Sequence, residues 1–138
     1  HHVIDVVPTI LDACGIAAPD EVDGIAQKPM EGVSMRYSFE DGSAPDLRTT
    51  QYFELATNRA IYHDGWVACS RYGLPWETAG RDQGFETAPW ELYHVDEDFS
   101  QARDLASERP DKLRELREVF AAEARRYQVY PLDPRFTE

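Results

Sequence analysis

The most regular hydrophobic pattern in this chain lies near its C-terminal end, from Ser107 to Tyr127. Apolar residues recur there every three or four positions, which predicts an α-helix with one apolar face. The stripe comprises Leu113, Leu116, Phe120, Ala124 and Tyr127. Pro110 lies in the predicted first turn, where its missing amide hydrogen costs little. Burying such a stripe contributes about 1.5–3 kcal/mol per large side chain, so this face determines whether the helix docks.

The opposite face of this helix carries charges of both signs. Glu108 and Lys112 are four positions apart and Asp111 and Arg114 are three apart, so both pairs are spaced to meet. Exposed pairs of this kind contribute roughly 0.2–1 kcal/mol each. The charges therefore indicate a solvent-facing surface more than a source of stability.

Runs of β-forming residues in the middle of the chain predict a four-stranded antiparallel meander. The predicted strands are Thr49 to Leu55, Arg59 to Tyr62, Trp66 to Ser70 and Trp90 to Val95. Between the second and third strands, His63-Asp64-Gly65 predicts a hairpin, because Gly supplies the positive φ that a tight turn needs. Residues 72–89 hold three Gly and two Pro and predict a long surface excursion.

A shorter helix is predicted from Val3 to Cys14, where Ile4, Val7, Ile10, Leu11 and Cys14 recur at helical spacing. Pro8 is compatible with this helix if it lies in the first turn. Thr9 or Asp5 could then cap the helix, and Gly15 is a suitable stop. Val3 and Val6 lie off the main stripe, so the helix is apolar on more than one face and expects neighbours on several sides.

The patterns together predict an α+β fold. An antiparallel sheet of about four strands is packed by the long C-terminal helix, 107–127, within a subdomain spanning residues 49–138. Residues 17–48 are predicted to be connecting loops, with a brief helical turn from Ser34 to Phe39. Residues 1–16 are predicted to be a packing helix taken from something larger, because the helix is apolar on more than one face. The tail from Gln128 to Glu138 is predicted to be extended.

Charge and composition exclude some classes of partner. The formal charge is −12, with 26 acidic side chains against 14 Lys and Arg, and this field repels phosphate backbones and anionic lipid surfaces. We therefore predict neither nucleic acid nor membrane as a partner, and no apolar run approaches the ~18 residues of a membrane span. The sequence assigns no cellular compartment.

A search for reactive groups finds no complete set. The two cysteines, Cys14 and Cys69, form neither a disulfide framework nor a C-x-x-C motif, and Cys14 is predicted to be a buried hydrophobe. Ser34 follows Gly32 as in a nucleophile elbow, but Arg36 stands where the second Gly belongs, so we interpret Ser34 as a helix cap.

The acidic triplet Asp96-Glu97-Asp98 resembles the start of a calcium loop, but the pattern would need Gly at Gln101 and Glu at Ser107. We interpret the triplet as a surface turn. His63 is predicted to be a solvated turn residue and His94 a structural residue in a strand. The tryptophans Trp66, Trp76 and Trp90 could form a stacking surface for a ligand, although core packing is the commoner role. We assign no catalytic, cofactor-binding or metal residue.

Several phrases in fixed order resemble the sulfatase family, especially large bacterial arylsulfatases of the alkaline-phosphatase superfamily. Residues 1–16, HHVIDVVPTILDACGI, resemble the family's H-x-I-D-x-x-P-T stretch, and residues 24–34 resemble its G-x-x-Q-x-P-x-x-G-x-S segment. Residues 51–66 resemble its strand and hairpin, and residues 90–106 its W-E-L-Y…D-x-S…D-L-A signature. Each phrase is weak alone, but the ordered set covers the chain from Val3 to about Asp133. It also gives a reason to consider His1 and His2 native residues and not the remainder of a tag.

The resemblance implies a catalytic α/β domain followed by a smaller subdomain of four antiparallel strands and a long helix. It also implies that residues 1–16 are a helix from the end of the large α/β domain, which this chain lacks. It also implies a formylglycine nucleophile, made from Cys or Ser in a C/S-x-P-x-R motif, and a calcium ion held by Asp and Asn. Neither cysteine here is followed by x-Pro-x-Arg, and the only asparagine, Asn58, is not in an Asp-Asn pair. The family's motifs lie upstream of this segment, so no cofactor is expected in the chain itself.

Three hypotheses follow. The first is a C-terminal fragment of an arylsulfatase-like sulfuric ester hydrolase, inactive alone, whose partner is the missing N-terminal domain and whose parent acts on a sulfate ester. In this hypothesis His1, His2 and residues 72–89 are candidates for the rim of the substrate cleft. The second is a free-standing, non-catalytic binding or oligomerisation module. The third is self-association of the fragment through the face meant for the missing domain.

Overall fold

The computed structural model describes residues 1–73 and 84–132, and it divides the chain into two compact units, His1–Arg48 and Thr49–Glu138. Trp76 and the end of the predicted tail lie outside the described residues. No helix within the described ranges is long and apolar enough to cross a membrane. The α+β architecture predicted from the sequence is confirmed.

The first unit begins with a 3-10 turn, Val3–Asp5, that continues into helix α1, Val6–Cys14. Pro8 lies in the first turn of α1, and Gly15 ends the helix in the left-handed region at φ +66°, both as predicted. Asp5 occupies the N-cap position of α1, as predicted, but neither its side chain nor that of Thr9 makes a capping hydrogen bond to this helix.

Two short elements follow in the region predicted to be loops. Strands β1 (Glu21–Val22) and β2 (Ile25–Ala26) form a small hairpin that the sequence analysis missed. Asp23 and Gly24 adopt φ values of +51° and +78°. This turn is therefore made by the same Asp-Gly pair that predicts the hairpin at 64–65. The predicted helical turn at Ser34 is confirmed as a 3-10 turn, Met35–Ser38.

The second unit contains a four-stranded antiparallel meander in the order β3-β4-β5-β6. Its strands are β3 (Thr50–Leu55), β4 (Asn58–His63), β5 (Trp66–Ser70) and β6 (Glu91–His94), each within two residues of its predicted bounds. Asp64 and Gly65 make the predicted turn at φ +45° and +79°. The described part of the predicted excursion at 72–89 holds a 3-10 turn, Phe85–Thr87.

Helix α2, Pro110–Arg126, covers one face of this sheet. Leu116, Phe120 and Ala124 of its apolar stripe are buried against Ile61 and other side chains of the sheet. Tyr127, at the end of the stripe, is exposed. Because side chains alternate along a strand, Phe53 and Leu55 of β3 point away from the helix, and both are exposed.

The predicted ion pairs are corrected in part. Asp111 and Arg114 meet at 2.5 Å as predicted. Glu108 precedes the helix start at Pro110, so it pairs with Arg103 of the preceding loop at 2.8 Å and not with Lys112. Lys112 instead pairs with Glu115, one turn further along α2.

Candidate functional site

A pocket of about 410 Å³ in the second unit combines basic and aromatic side chains. It is lined by residues of β4, α2 and the segments beside them, including Arg59, Trp90, Arg114, Arg117, Glu118 and Tyr130. Basic residues are a minority in this acidic chain, so three arginines around one pocket are a local departure from its overall charge.

Arg59 is fixed in this pocket by contacts on several sides. It lies on β4 two residues before buried Ile61, so its side chain points to the face of the sheet that α2 covers. Its Nη2 donates to Ser70 Oγ at 3.0 Å and to the Phe85 carbonyl at 2.7 Å. The guanidinium lies 5.0 Å from the centre of the Trp90 ring and 5.5 Å from that of Phe85, within the range of cation–π attraction.

A second guanidinium approaches the same tryptophan. Arg117 of α2 lies 5.7 Å from the Trp90 ring centre. Burial lowers the pKa of Arg59; the nearby Tyr130 phenol raises it, and the positive charge of Arg117 lowers it. Arg114 is neutralised by its pair with Asp111. The arrangement offers no nucleophile, and its chemistry is that of binding.

Sequence reasoning missed this pocket. The only available signal was the alternation of Arg59 with Ile61 on a strand, which places a cation beside a core residue on the covered face.

The first unit is organised around the buried carboxylate of Asp5, whose side chain is 1% exposed. Its oxygens accept hydrogen bonds from the amides of His2 at 2.7 Å and Val33 at 2.8 Å. Arg48 donates to the same carboxylate through Nε at 3.0 Å and also through Nη2. Asp5 therefore ties the chain start to two later segments, and its carboxylate forms part of the capping box of the first 3-10 turn and not a cap of α1.

Thr9 and Ser34 extend this network. Thr9 donates to the Asp5 carbonyl at 2.6 Å and accepts from the Met35 amide at 2.8 Å. Ser34 accepts from the Arg36 amide at 3.2 Å, which confirms its predicted capping role, and donates to Asp12 at 2.6 Å. The Ser34 hydroxyl is thus engaged in structural contacts and is not poised as a nucleophile.

Gly32 is required by close packing in the same unit. A Cβ at this position would lie 2.0 Å from the carbonyl oxygen of Ile4 and 2.8 Å from the Pro8 ring. Backbone atoms cannot move aside cheaply, so only glycine fits. The segments 1–16 and 24–34, which carry the sulfatase resemblance, therefore hold each other together within this unit.

Two aspartates that follow β6 accept hydrogen bonds from backbone amides, as Asp5 does in the first unit. Asp98 accepts from the Arg103 amide at 2.9 Å and from the Ser100 hydroxyl at 3.0 Å, which confirms the predicted surface turn. Asp104 accepts from the amides of Leu92 and Ala106, both at 2.9 Å. Because Leu92 is fully buried, its amide depends on Asp104 for a partner.

We expect Asp104→Ala to lower the free energy of unfolding by about 1–3 kcal/mol, the cost of leaving a buried donor unsatisfied. Urea unfolding followed by circular dichroism measures the change. Asp111→Ala is the matched control, because it removes an exposed carboxylate paired only with Arg114 and should cost under about 0.5 kcal/mol. Equal losses in the two variants would contradict this role for Asp104.

His63 and His94 make contacts within the sheet of the second unit. His63 ends β4, where its Nδ1 lies 2.8 Å from Thr50 Oγ1 and its Nε2 lies 3.5 Å from Asp64, so the prediction of a solvated turn residue is wrong. The chain of contacts resembles a hydrolase triad, but the Asp64 carboxylate is exposed and Thr50 pairs with His63 within the ladder. His94 packs its ring 4.3 Å from that of Trp66, in agreement with a structural role.

The remaining candidates are also structural. Trp66 and Trp90 pack against the core, as predicted. Cys14 is exposed, so its predicted burial is wrong; helix α1 leaves its apolar face open in this chain. Burial raises the pKa of Cys69 to about 11, with Glu91 adding to the effect, so this thiol stays protonated and unreactive at neutral pH.

Comparison with known proteins assigns the fold. No protein-family model matches the sequence. The solved structure of BT4656, in complex with its substrate D-glucosamine-2-N,6-O-disulfate, matches 95% of this chain with a TM-score of 0.60 and 18% identity. A second, BT33336S-sulf from the glycosaminoglycan metabolism of Bacteroides thetaiotaomicron, matches 86% with a TM-score of 0.52 and 16% identity. The chain has the fold of part of a bacterial sulfatase.

This sulfatase-like chain spans about a quarter of the length of both solved structures, 25% and 24% respectively. The residues described here do not fit the calcium ion that the resemblance implies. Within residues 1–73 and 84–132, no group of three His, Cys, Asp or Glu side chains could hold a metal ion. Asn58 uses its amide for the backbone, accepting from Tyr72 at 2.9 Å and donating to Gly73 at 2.7 Å.

Proposed function

We propose that this chain is the C-terminal region of an arylsulfatase-like sulfuric ester hydrolase. The observation that carries the proposal is the match of 95% of this chain to only a quarter of a sulfatase. The ordered motifs of the sequence support the same assignment. Their polar residues, such as Asp5, Thr9 and Asp104, form hydrogen bonds that hold separate segments of this fold together. Catalysis would belong to the rest of the parent protein, which would supply the formylglycine and the calcium site.

An exposed apolar surface on helix α1 supports the proposal that this helix packs against another part of a larger protein. Val3, Val6, Val7 and Ile10 are 43–75% exposed, although each is an apolar residue in or beside the helix. Exposed apolar clusters of this kind mark interaction surfaces in soluble proteins. We propose that α1 packs into the large domain of the parent.

A role at the rim of the substrate cleft is a second part of this proposal. His1 and His2 precede α1, and the His1 ring lies 6.1 Å from that of Tyr37. His2 begins the first 3-10 turn, where its side chain accepts from the Ile4 amide. If α1 docks on the large domain, both histidines lie beside that junction. Residues 72–89, of which 74–83 lie outside the described residues, are the other candidates.

We expect the 138-residue chain to show no turnover of 4-nitrophenyl sulfate in the presence of calcium, because its sequence has no C/S-x-P-x-R motif and its described residues form no metal site. The measurement is release of nitrophenol against a buffer blank. A matched arm uses the product of the same gene together with its upstream coding region, which should be active. Turnover by the short chain would overturn its catalytic silence, and an upstream region without a C/S-x-P-x-R motif would overturn the parent assignment.

A further inference from the structure

The pocket of Arg59, Trp90 and Arg117 has no part in the proposal above, and its charges are not balanced. Two guanidinium groups lie over one indole, at 5.0 and 5.7 Å from the ring centre. Neither forms an ion pair with a carboxylate within the part of the chain that the structure describes. Both arginines line the same pocket, and the positive charge of Arg117 lowers the pKa of Arg59, so the two charges repel each other and an anion in the pocket would relieve the repulsion.

The arginines retain free donors for such an anion. Arg59 uses its Nη2 for Ser70 and Phe85, while its Nε is buried and has no hydrogen-bond partner among residues 1–73 and 84–132. Arg117 is exposed on α2 and can turn its whole fork toward the pocket. Tyr130 also lines the pocket and adds a phenol. Glu118 lines it too, and its carboxylate would repel a bound anion.

We propose that this pocket binds the oxyanion group of a small molecule, a carboxylate, sulfate or phosphate, between the guanidinium groups of Arg59 and Arg117. Planar guanidinium forks match the geometry of such oxyanions and form strong charge-assisted hydrogen bonds with them. Arg59 is held in place by Ser70 and Phe85, so one half of the site is preorganised before the anion arrives.

Size and overall charge limit the ligand to a small molecule. A volume of about 410 Å³ lies within the range of small-ligand pockets. The surrounding chain carries a formal charge of −12, which repels a polyanion such as nucleic acid. A single anionic group can still enter, because the nearby arginine charges act on it at contact distance while salt screens the distant acidic residues.

Titration of the 138-residue chain with sodium sulfate, sodium phosphate and sodium acetate tests the site, with sodium chloride at matched ionic strength as baseline. The readouts are the NMR signals of the Trp90 indole N–H and the Arg59 Nε–H. We expect saturable shifts with at least one of the three oxyanions. Arg117→Ala should weaken that affinity about tenfold, the effect of losing one charged hydrogen-bond donor.

Two variants make the test specific. Glu118→Gln removes the opposing carboxylate and should tighten binding severalfold. Arg103→Ala is the matched control, because it removes the same charge from a surface where Arg103 pairs with Glu108, and it should leave affinity within about twofold. Saturable binding that Arg117→Ala weakens and Glu118→Gln strengthens supports the site. Absence of saturation, or equal weakening by Arg117→Ala and Arg103→Ala, overturns it.

A further arm identifies the carrier of the oxyanion. Glucosamine 6-sulfate and glucosamine differ by the sulfate group, so tighter binding of the first relative to inorganic sulfate would assign a sulfated sugar. Equal affinity for inorganic sulfate and the sulfated sugar would assign the free ion. The site does not depend on the parent assignment, because the titration reads binding on this chain even if the upstream region encodes no sulfatase.

Discussion

Replacing Phe120 by alanine should lower the free energy of unfolding of the second unit by about 3–5 kcal/mol, the usual cost of truncating a buried aromatic residue. Phe120 is 2% exposed, stacks on Tyr52 with ring centres 4.9 Å apart, and meets the Trp90 ring edge-on at 5.4 Å. The variant leaves a cavity between helix α2 and the sheet that neighbouring side chains fill only in part. Urea unfolding followed by tryptophan fluorescence measures the loss.

Phe99→Ala is the matched control for this prediction. It deletes the same atoms from a side chain that is 91% exposed, so its effect should stay within about 0.5 kcal/mol. A loss in Phe120→Ala below about 1 kcal/mol, or one equal to that of Phe99→Ala, would mean that α2 does not anchor the core as described.

The second unit was predictable because each of its elements carries a strong local signal. The three- and four-residue steps from Leu113 to Ala124 define α2, and Asp64-Gly65 defines the central hairpin. The hairpin at Asp23-Gly24 has the same signal, but its strands are two residues long and hold no periodicity. Pairing between such short strands depends on the turn alone, so a search for alternating residues does not detect it.

The first unit was harder to predict because its central contacts join residues far apart in sequence. Asp5 and Arg48 are 43 positions apart, and the Thr9 hydroxyl meets an amide 26 positions away. Local reasoning placed Asp5 and Thr9 at a helix cap, which is the nearest use for such side chains. The resemblance to sulfatases marked the same residues without giving their role. The structure shows their role: Asp5 and Thr9 are buried polar residues whose side chains accept hydrogen bonds from backbone amides of the later loop.

The pocket of Arg59 and Arg117 was beyond sequence reasoning for a related reason. Arg59 lies on a strand and Arg117 on a helix 58 positions later, and only the packing of α2 on the sheet brings them to the same tryptophan. Charged residues are rarely buried without a partner or a function. A charged residue on the covered face of a sheet therefore indicates a binding or pairing site, but only once its neighbours in the fold are known. From the sequence alone Arg59 was one polar residue in an alternating strand.

Replacing Asp5 by asparagine should destabilise the first unit by about 3–5 kcal/mol at neutral pH, because it breaks a buried, multiply hydrogen-bonded ion pair with Arg48. Amide hydrogen exchange at Val33 and Met35 reports the loss locally, since these amides donate to Asp5 and Thr9. Arg36→Ala is the matched control, because it removes an exposed ion pair with Asp12 in the same unit.

The pH dependence of this effect has a definite sign. The hydrogen bonds from Arg48 hold the pKa of Asp5 well below its usual range, against the opposing effect of burial. A depressed pKa stabilises the folded state above the unfolded value of about 3.9, and the contribution is lost as pH falls from there toward the folded pKa. The difference between the native chain and Asp5→Asn should therefore shrink by about 1 kcal/mol between pH 7 and pH 3. A difference that stays constant, or grows in acid, would show that the charge on Asp5 does not stabilise this unit.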